Sequence, residues 1–493
     1  MPDAVLALDQ GTTGSMALVL SDQGEVLGRA YGTIKQHYPQ PGWVEHDPEE
    51  LVTVSQRVMY DALADARIDP HSVKAIGITN QRETTVVWDR KTGTPLHRAI
   101  VWQSRQTAPI CERLRAEGHE PEFRRRTGLV MDAYFSGTKI RWILDRYPDA
   151  PARAAAGDLA FGTVDTWLLE RLTGVHATDP TNASRTLLYN IDEQRWDPVL
   201  LAILGVPEAM MPEVRRSAGF FGELRPAGGL PGGIPVTGVA GDQQAALHGQ
   251  GCWEQGLGKN TYGTGCFLML NTGGQRAPTP EGLLATICCD ARGGAAYALE
   301  GSVFVAGAAV QWLRDELAFI VNAADTDAMA RSVPNTGGVY VVPAFTGLGA
   351  PYWDMDARGA VIGLTRGSDR RHIVRATLES MAYQTRDVLE AMNAGTSEPL
   401  RELRVDGGAS ANDFLMQFQA DILGIPVDRP AWLETTAAGA AYLAGLGAGV
   451  WKDPGVLANV RRRERLFEPR MTAGLRESLY SGWKQAVARV RTR

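Results

Sequence analysis

Cysteine is scarce in this chain and poorly spaced for any covalent framework. The 493 residues contain five cysteines: Cys111, Cys252, Cys266, Cys288 and Cys289. The number is odd, with no Cys-x-x-Cys pair and no histidine at zinc-site spacing. That excludes a disulfide scaffold or structural zinc and points to a reducing compartment. Long apolar runs are missing as well, since even the Ala/Gly-rich stretch 435–451 is short and small-sided. Nor is there an excess of positive charge. Lys and Arg number 50 against 56 Asp and Glu, a net charge of −6, which leaves no basic footprint for nucleic acid. The short runs 124–126 and 461–463 read as solvated helix faces. No positive region precedes the first apolar run, so no secretory leader is expected. A soluble, cytoplasmic protein with neither a nucleic-acid partner nor membrane insertion is predicted.

Two familiar phosphate-binding patterns are also absent. No Gly-Lys-Ser/Thr loop follows a strand, and no Gly-x-Gly-x-x-Gly opens a helix. The chain instead begins strand, turn, strand, turn, strand: an apolar run at 4–8, a polar turn, strands at 16–20 and 26–33, and a hairpin turn at 21–24 between them. A helix is predicted over about 48–66, with Asp47 and Pro48 as its start signals, and a buried strand over 73–79. Alternating sheet and helix make the class α/β. The length implies two large domains, 1–250 and 251–493, divided where Gly249, Gly251 and Gly256 cluster. Strands near 260–265, 266–271, 284–289 and 295–300 repeat the opening layout, which suggests an internal duplication.

Four segments carry the chemistry. In the first, the apolar run ends at Asp9 and continues Gln10-Gly11-Thr12-Thr13-Gly14-Ser15. Such a turn exposes backbone N–H and hydroxyl groups that suit phosphate, beside a carboxylate able to hold Mg2+; an ordinary strand exit is the alternative. The second, Gly241-Asp242-Gln243-Gln244, follows an apolar run at 234–240 and enters a helix, so Asp242 reads either as a reactive carboxylate or as an N-cap. The third, Tyr262-Gly263-Thr264-Gly265, is a small-residue turn with a free hydroxyl. The fourth, Val405-Asp406-Gly407-Gly408-Ala409-Ser410-Ala411-Asn412, is a strand running through a Gly-Gly turn into a helix, where a flat base could lie on exposed backbone.

In this order the four segments resemble the FGGY carbohydrate kinases, which have the actin, Hsp70 and hexokinase ATPase fold: two ribonuclease H-like domains with a cleft between them. Five further segments resemble the glycerol-phosphorylating members of that family: 41–47, Asn80-Gln81-Arg82-Glu83-Thr84-Thr85, Tyr134-Phe135-Ser136-Gly137-Thr138-Lys139, Thr181-Asn182-Ala183-Ser184-Arg185 and 345–353. The resemblance covers residues 4 to about 485. It implies ATP-dependent phosphorylation of glycerol to sn-glycerol 3-phosphate, with ATP and Mg2+ required and Asp242 as general base. Substrate would be held by Arg82, Glu83, Tyr134, Asp242 and Gln243, with aromatic walls at Trp102 and Phe267. Thr12, Thr13, Gly14, Thr264, Gly307, Gln311, Gly408 and Asn412 would line the nucleotide, and Asp9 would hold the metal. A homo-oligomer, dimer or tetramer, is the expected assembly.

The chain departs from the family pattern in places. Where relatives often carry a phosphate-directed Arg, Met16 follows the turn, and Mg2+ with Arg82 is expected to supply the missing charge. The stretch 228–233 lacks the Arg of a fructose 1,6-bisphosphate loop, and Phe220 replaces a phosphorylated His, so neither control is expected. Two other functions compete: a kinase for another small polyol or ketose, and a nucleotide switch of the Hsp70 or actin kind. A simple ion pair at a strand end is the plain alternative for Arg82 and Glu83.

Overall fold

Residues 3–492 are described by the structure, a computed structural model. The first sheet contains β1 (Ala4–Gln10), β2 (Gly14–Ser21), β3 (Val26–Thr33), β4 (Val73–Asn80) and β5 (Val236–Gly241), in the order β5-β4-β1-β2-β3. β1, β2 and β3 form an antiparallel meander, while β4 runs parallel to β1 and β5 parallel to β4. The apolar run of β1 is buried on both faces, as expected of a strand covered on both sides. Leu6 and Leu8 face helix α1 (Pro48–Ala66), which starts where Asp47 accepts the Glu49 N–H at 3.0 Å.

The second sheet contains β6 (Gly258–Tyr262), β7 (Cys266–Gly273), β8 (Leu284–Cys289), β9 (Ala295–Val303), β10 (Leu403–Asp406), β11 (Val427–Pro430) and β12 (Arg463–Phe467). Their order is β8-β9-β7-β6-β10-β11-β12. β6, β7 and β9 are an antiparallel meander, and β10 and β11 extend it in parallel. Both sheets therefore contain the same five-stranded unit, a meander followed by two parallel strands. The repeat suspected from turn chemistry is a repeat of topology.

Helices α2 (Asp242–Gly249), α3 (Gly307–Asp315), α4 (Arg370–Ala394), α5 (Asp413–Leu423), α6 (Thr435–Gly447) and α7 (Ala473–Ala488) complete the frame. α4 and α5 cover the second sheet and α7 packs on their outer side, with Leu268, Leu299, Met381, Phe418 and Trp483 in one core. α2 and α6 pack together between the sheets. A Cβ on Gly439 of α6 would lie 1.9 Å from the carbonyl oxygen of Ala245 in α2, so the two backbones touch. That close approach accounts for the Ala/Gly-rich sequence of 435–447, which is buried on nearly every side.

Among the described residues no helix is long and apolar enough to cross a membrane, and all five cysteines are buried and free. The arginine runs differ from their reading as solvated faces. Arg126 bonds Asp197 at 2.8 Å, and Arg124 donates to the Pro280 carbonyl at 3.0 Å. Arg461 and Arg463 both pair with buried Asp428, at 3.0 and 2.9 Å. Arg125 and Arg462 are exposed as expected, while Arg126 and Arg461 are drawn to buried carboxylates that a single-sequence charge count does not reveal.

Candidate active site

β1, β4 and β5 run in one direction and end together: Gln10 stands beside Asn80, and Asn80 beside Gly241. Asp9, the Arg82-Glu83 turn and Asp242 are thereby delivered to one edge, where ligands gather on parallel strands. The Gln81 N–H donates to the Gln10 carbonyl at 2.8 Å, and the Gln81 side chain reaches Gln10 at 3.1 Å. The Gly241 N–H donates to the Thr181 hydroxyl at 2.9 Å, docking the Thr181–Arg185 motif on the same edge.

Glu83 has φ +63°, the left-handed region that a side-chain-bearing residue seldom adopts. Its carbonyl is held by three donors, the Ser136 hydroxyl at 3.0 Å, Lys139 Nζ at 3.1 Å and the Thr85 hydroxyl at 3.1 Å. This is backbone strain maintained at the turn that presents the carboxylate. Lys139 also donates to the Tyr134 carbonyl at 2.7 Å, and its burial lowers the ammonium pKa to about 7.

The charged core of the site is almost dry. Arg82 places Nη1 2.7 Å from Glu300, Nη2 3.0 Å from the same carboxylate and Nε 3.2 Å from Oδ1 of Asp242. Burial opposes its charge, but Glu300, Glu83, Tyr134 and Asp242 together raise its pKa well above the usual value. Arg185 bonds Glu83 at 2.6 Å and Glu300 at 3.1 Å, and its guanidinium lies 5.6 Å from the Tyr134 ring centre. Burial would raise Glu300, yet Arg185 and Arg82 hold it at about 2. These contacts correct one expectation: the fork of Arg82 is committed to Glu300 and Gln244 and is no spare cation for phosphate.

Asp242 is the first residue of α2, with Gly241 as the N-cap, so the simple capping role does not apply. Gln243 beside it is fixed by Lys259, whose Nζ donates to its side-chain oxygen and to the Thr261 hydroxyl at 2.7 Å. Trp102 stands between Tyr134 and Phe267, with ring centres at 5.5 and 6.5 Å. Its indole N–H donates to the Thr12 hydroxyl at 2.9 Å, so the aromatic wall and the opening turn form one surface.

In that turn Thr13 is exposed, while Gly14 is buried within β2. Asp9 is half-buried and is paired with no cation among the described residues. Burial, then the neighbouring charges of Asp242 and Glu434, push its carboxyl up to about 8. An unpaired carboxylate beside two others suits a divalent cation. No group of three or more acidic, His or Cys side chains among the described residues could bind one alone. Mg2+ takes one or two carboxylates plus phosphate and water oxygens, so a single carboxylate such as Asp9 could serve it beside a polyphosphate.

The second lobe has a cavity of about 540 Å3. Gly307, Gln311, Gly408 and Asn412 all line it, with Ala324 and Ala409 among its apolar surfaces. Gly407 has φ +83°, and a Cβ there would lie 2.5 Å from the Tyr262 carbonyl oxygen, so this turn requires glycine. Asn412 caps α5 by accepting the Leu415 N–H at 2.9 Å and donates to Thr326 at 3.0 Å. Thr264 lies outside the cavity lining, in the exposed turn whose carbonyls receive the Ala306, Gly307 and Ala308 N–H groups at the start of α3.

Arg185, Glu300, Lys259, Ser136 and Lys139 were not singled out by sequence reasoning as site residues. The signal for Glu300 and Lys259 was a lone charge in a strand of otherwise uncharged residues. Such a charge must be paired when buried.

Two duplicated sheet units with polar turns at the ends of their parallel strands define a two-lobed ATPase of the actin, Hsp70 and hexokinase type. Comparison with known proteins narrows this class. Residues 4–249 match the N-terminal domain of the FGGY family of carbohydrate kinases and residues 258–448 its C-terminal domain, and the chain belongs to that family. It is 57% identical over 489 residues to glycerol kinase of Carboxydothermus hydrogenoformans, covering 99% of this chain and 98% of that one. The structure resembles a crystal structure of Plasmodium falciparum glycerol kinase with ADP at a TM-score of 0.93 and 34% identity, covering 100% and 99% of the two chains. A ligand-bound xylulose kinase from Lactobacillus acidophilus shares the fold at a TM-score of 0.88 and 20% identity, with 98% of each chain covered.

Proposed function

We propose that this chain phosphorylates glycerol, taking the γ-phosphoryl group of ATP and releasing sn-glycerol 3-phosphate and ADP. One observation carries the reading. Among the described residues, the Gln243 N–H and Arg82 Nε both engage Oδ1 of Asp242, at 2.7 and 3.2 Å, which would leave Oδ2 for a substrate hydroxyl. The high identity to glycerol kinases over nearly the full chain supports the choice of triol.

Arg82, Glu83, Tyr134 and Gln243 would bind the hydroxyls, while Trp102 and Phe267 would cover the carbon chain. A small polyol needs such convergent polar groups with an apolar wall. Asp242 would accept the proton of the terminal hydroxyl as its oxygen attacks the γ-phosphorus. Phosphoryl transfer is largely dissociative, so orienting this nucleophile matters more than early deprotonation. Thr12, Thr13, Gly14 and Thr264 would face the phosphates, and Gly307, Gln311, Gly408 and Asn412 would form the nucleotide cavity. Asp9 would hold Mg2+ directly or through water, and the ion would neutralise phosphate charge. Closure of the lobes would exclude water and keep ATP hydrolysis slow without glycerol. Action in the cytoplasm as a dimer or tetramer, feeding glycerol catabolism and lipid precursors, completes the proposal.

ADP release by purified protein with Mg-ATP and a panel of glycerol, other polyols and ketoses tests it. Glycerol should give the highest kcat/KM. Preference for a ketose would move the chain to a sister activity, and ATP hydrolysis indifferent to all acceptors would replace the kinase with a nucleotide switch.

A further inference from the structure

Glu300 belongs to β9 of the second lobe, yet its carboxylate is committed to the first. Oε2 accepts Nη1 of Arg82 at 2.7 Å, while Oε1 accepts Nη2 of Arg82 at 3.0 Å and Nη2 of Arg185 at 3.1 Å. Arg185 in turn bonds Oε1 of Glu83 through Nε at 2.6 Å and lies over the rings of Tyr134 and Phe135. One side chain thus holds Arg82 directly and, through Arg185, reaches Glu83 and Tyr134.

We propose that Glu300 is a positioning residue that sets substrate specificity by holding this hydroxyl-reading set in place across the lobe boundary. The inference rests on the reading of the cleft as a glycerol site. Arg82 has three carboxylates within reach: Glu300, Glu83 at 3.7 Å and Asp242 at 3.2 Å. The bidentate bond to Glu300 takes one N–H from each terminal nitrogen and Gln244 takes the other of Nη1, so Nε faces Asp242 and one N–H of Nη2 is left for a substrate hydroxyl. Without that bond the planar fork, which prefers two-point contact with a carboxylate, would turn to Asp242 or Glu83 and occupy oxygens needed by substrate. A site rejects analogues lacking a hydroxyl only while its buried polar groups stay fixed and would be left unpaired by the wrong ligand. Carriage by the second lobe makes the arrangement depend on how the lobes sit.

Glu300→Gln keeps the shape and removes the charge; Glu300→Asp keeps the charge one methylene short. ADP release is measured for wild type and both variants while glycerol, propane-1,2-diol and ATP are varied. Glu300→Gln should raise the glycerol KM by at least ~10-fold, leave the ATP KM within about twofold, and lower the ratio of kcat/KM for glycerol over the diol by at least ~10-fold. Glu300→Asp should recover part of the selectivity while keeping a raised glycerol KM. An unchanged glycerol KM and selectivity, or an equal rise in both KM values, overturns the inference. If circular dichroism shows Glu300→Gln unfolded, Glu300→Asp decides: wild-type glycerol KM and selectivity in that variant also overturn it. Wild type without glycerol-dependent ADP release overturns the functional reading instead, and this inference with it.

Discussion

Nε of Arg82 lies 3.2 Å from Oδ1 of Asp242, the same oxygen that accepts the Gln243 N–H at 2.7 Å. The carboxylate is oriented from one side and left open on the other, which is what a base needs to take a proton from a bound hydroxyl. Asp242→Asn preserves the size of the group but makes the open position unable to accept that proton reliably. Turnover should fall at least ~100-fold, the low end for positioned acid–base groups, while nucleotide affinity stays within a few-fold. Steady-state ADP release and a nucleotide titration measure the two. Turnover within tenfold of wild type would remove Asp242 from the base role.

Lys259 decides which end of the Gln243 amide faces the cleft. Its ammonium donates to the side-chain oxygen, so in the proposed glycerol site the amide nitrogen would be the end left to donate to substrate. Burial lowers the Lys259 pKa to about 8, and deprotonation above that pH weakens this hold. The wild-type glycerol KM should therefore rise as pH passes about 8. Lys259→Met should have a glycerol KM raised by ~10-fold at pH 7, the cost of one lost hydrogen bond to a charged group, and no rise of its own near pH 8. A Met variant that keeps the wild-type pH dependence would assign it to another group.

Met16 stands directly opposite Asp9 across the β1–β2 pairing, so both side chains point to the same face of the sheet. Met16 packs there against the small cluster of Val5, Leu18 and Ala437. Met16→Arg would place a guanidinium beside a carboxylate that is raised to about 8 and has no cationic partner among the described residues. Pairing with Asp9 is the expected outcome, with ATP KM and kcat each changing by less than ~10-fold. A gain above ~100-fold, the scale on which transition-state cations act, would mean that the natural turn is deficient in charge.

Much of this arrangement was legible before the structure. The meander and α1 appear where period, caps and turns place them, because each is set by neighbours within a few residues. Gly307, Gln311, Gly408 and Asn412, named from a family resemblance, line one cavity. What escaped was long-range pairing. Glu300 is 218 residues from Arg82, and no local pattern relates them. Arg82, expected to bind substrate, was also expected to make up with Mg2+ for the cation missing at Met16, since its sequence neighbours give no sign of the carboxylate that claims its fork. The Ala/Gly richness of α6 was visible, but its cause is contact with the Ala245 backbone, far away in sequence.

Asp387 provides a stability test remote from the cleft. It joins α4 to α7 by accepting the Tyr480 hydroxyl at 2.5 Å and the Trp483 indole N–H at 2.7 Å. Burial nevertheless pushes its carboxyl from 3.8 up to about 6. The folded state therefore holds a proton that the unfolded chain releases between these values. Folding stability tied to this group is fully present below about pH 4 and is lost as pH rises through about 6. Its size is at most about 3 kcal/mol, from about 1.4 kcal/mol for each pH unit between the two pKa values. Asp387→Asn cannot titrate, so it should gain stability relative to wild type as pH increases from 4 to 7, whatever the absolute cost of the substitution. Urea unfolding of both proteins across that range measures the difference. A constant difference would mean that Asp387 is ionised throughout, with the Tyr480 and Trp483 donors fully compensating its burial.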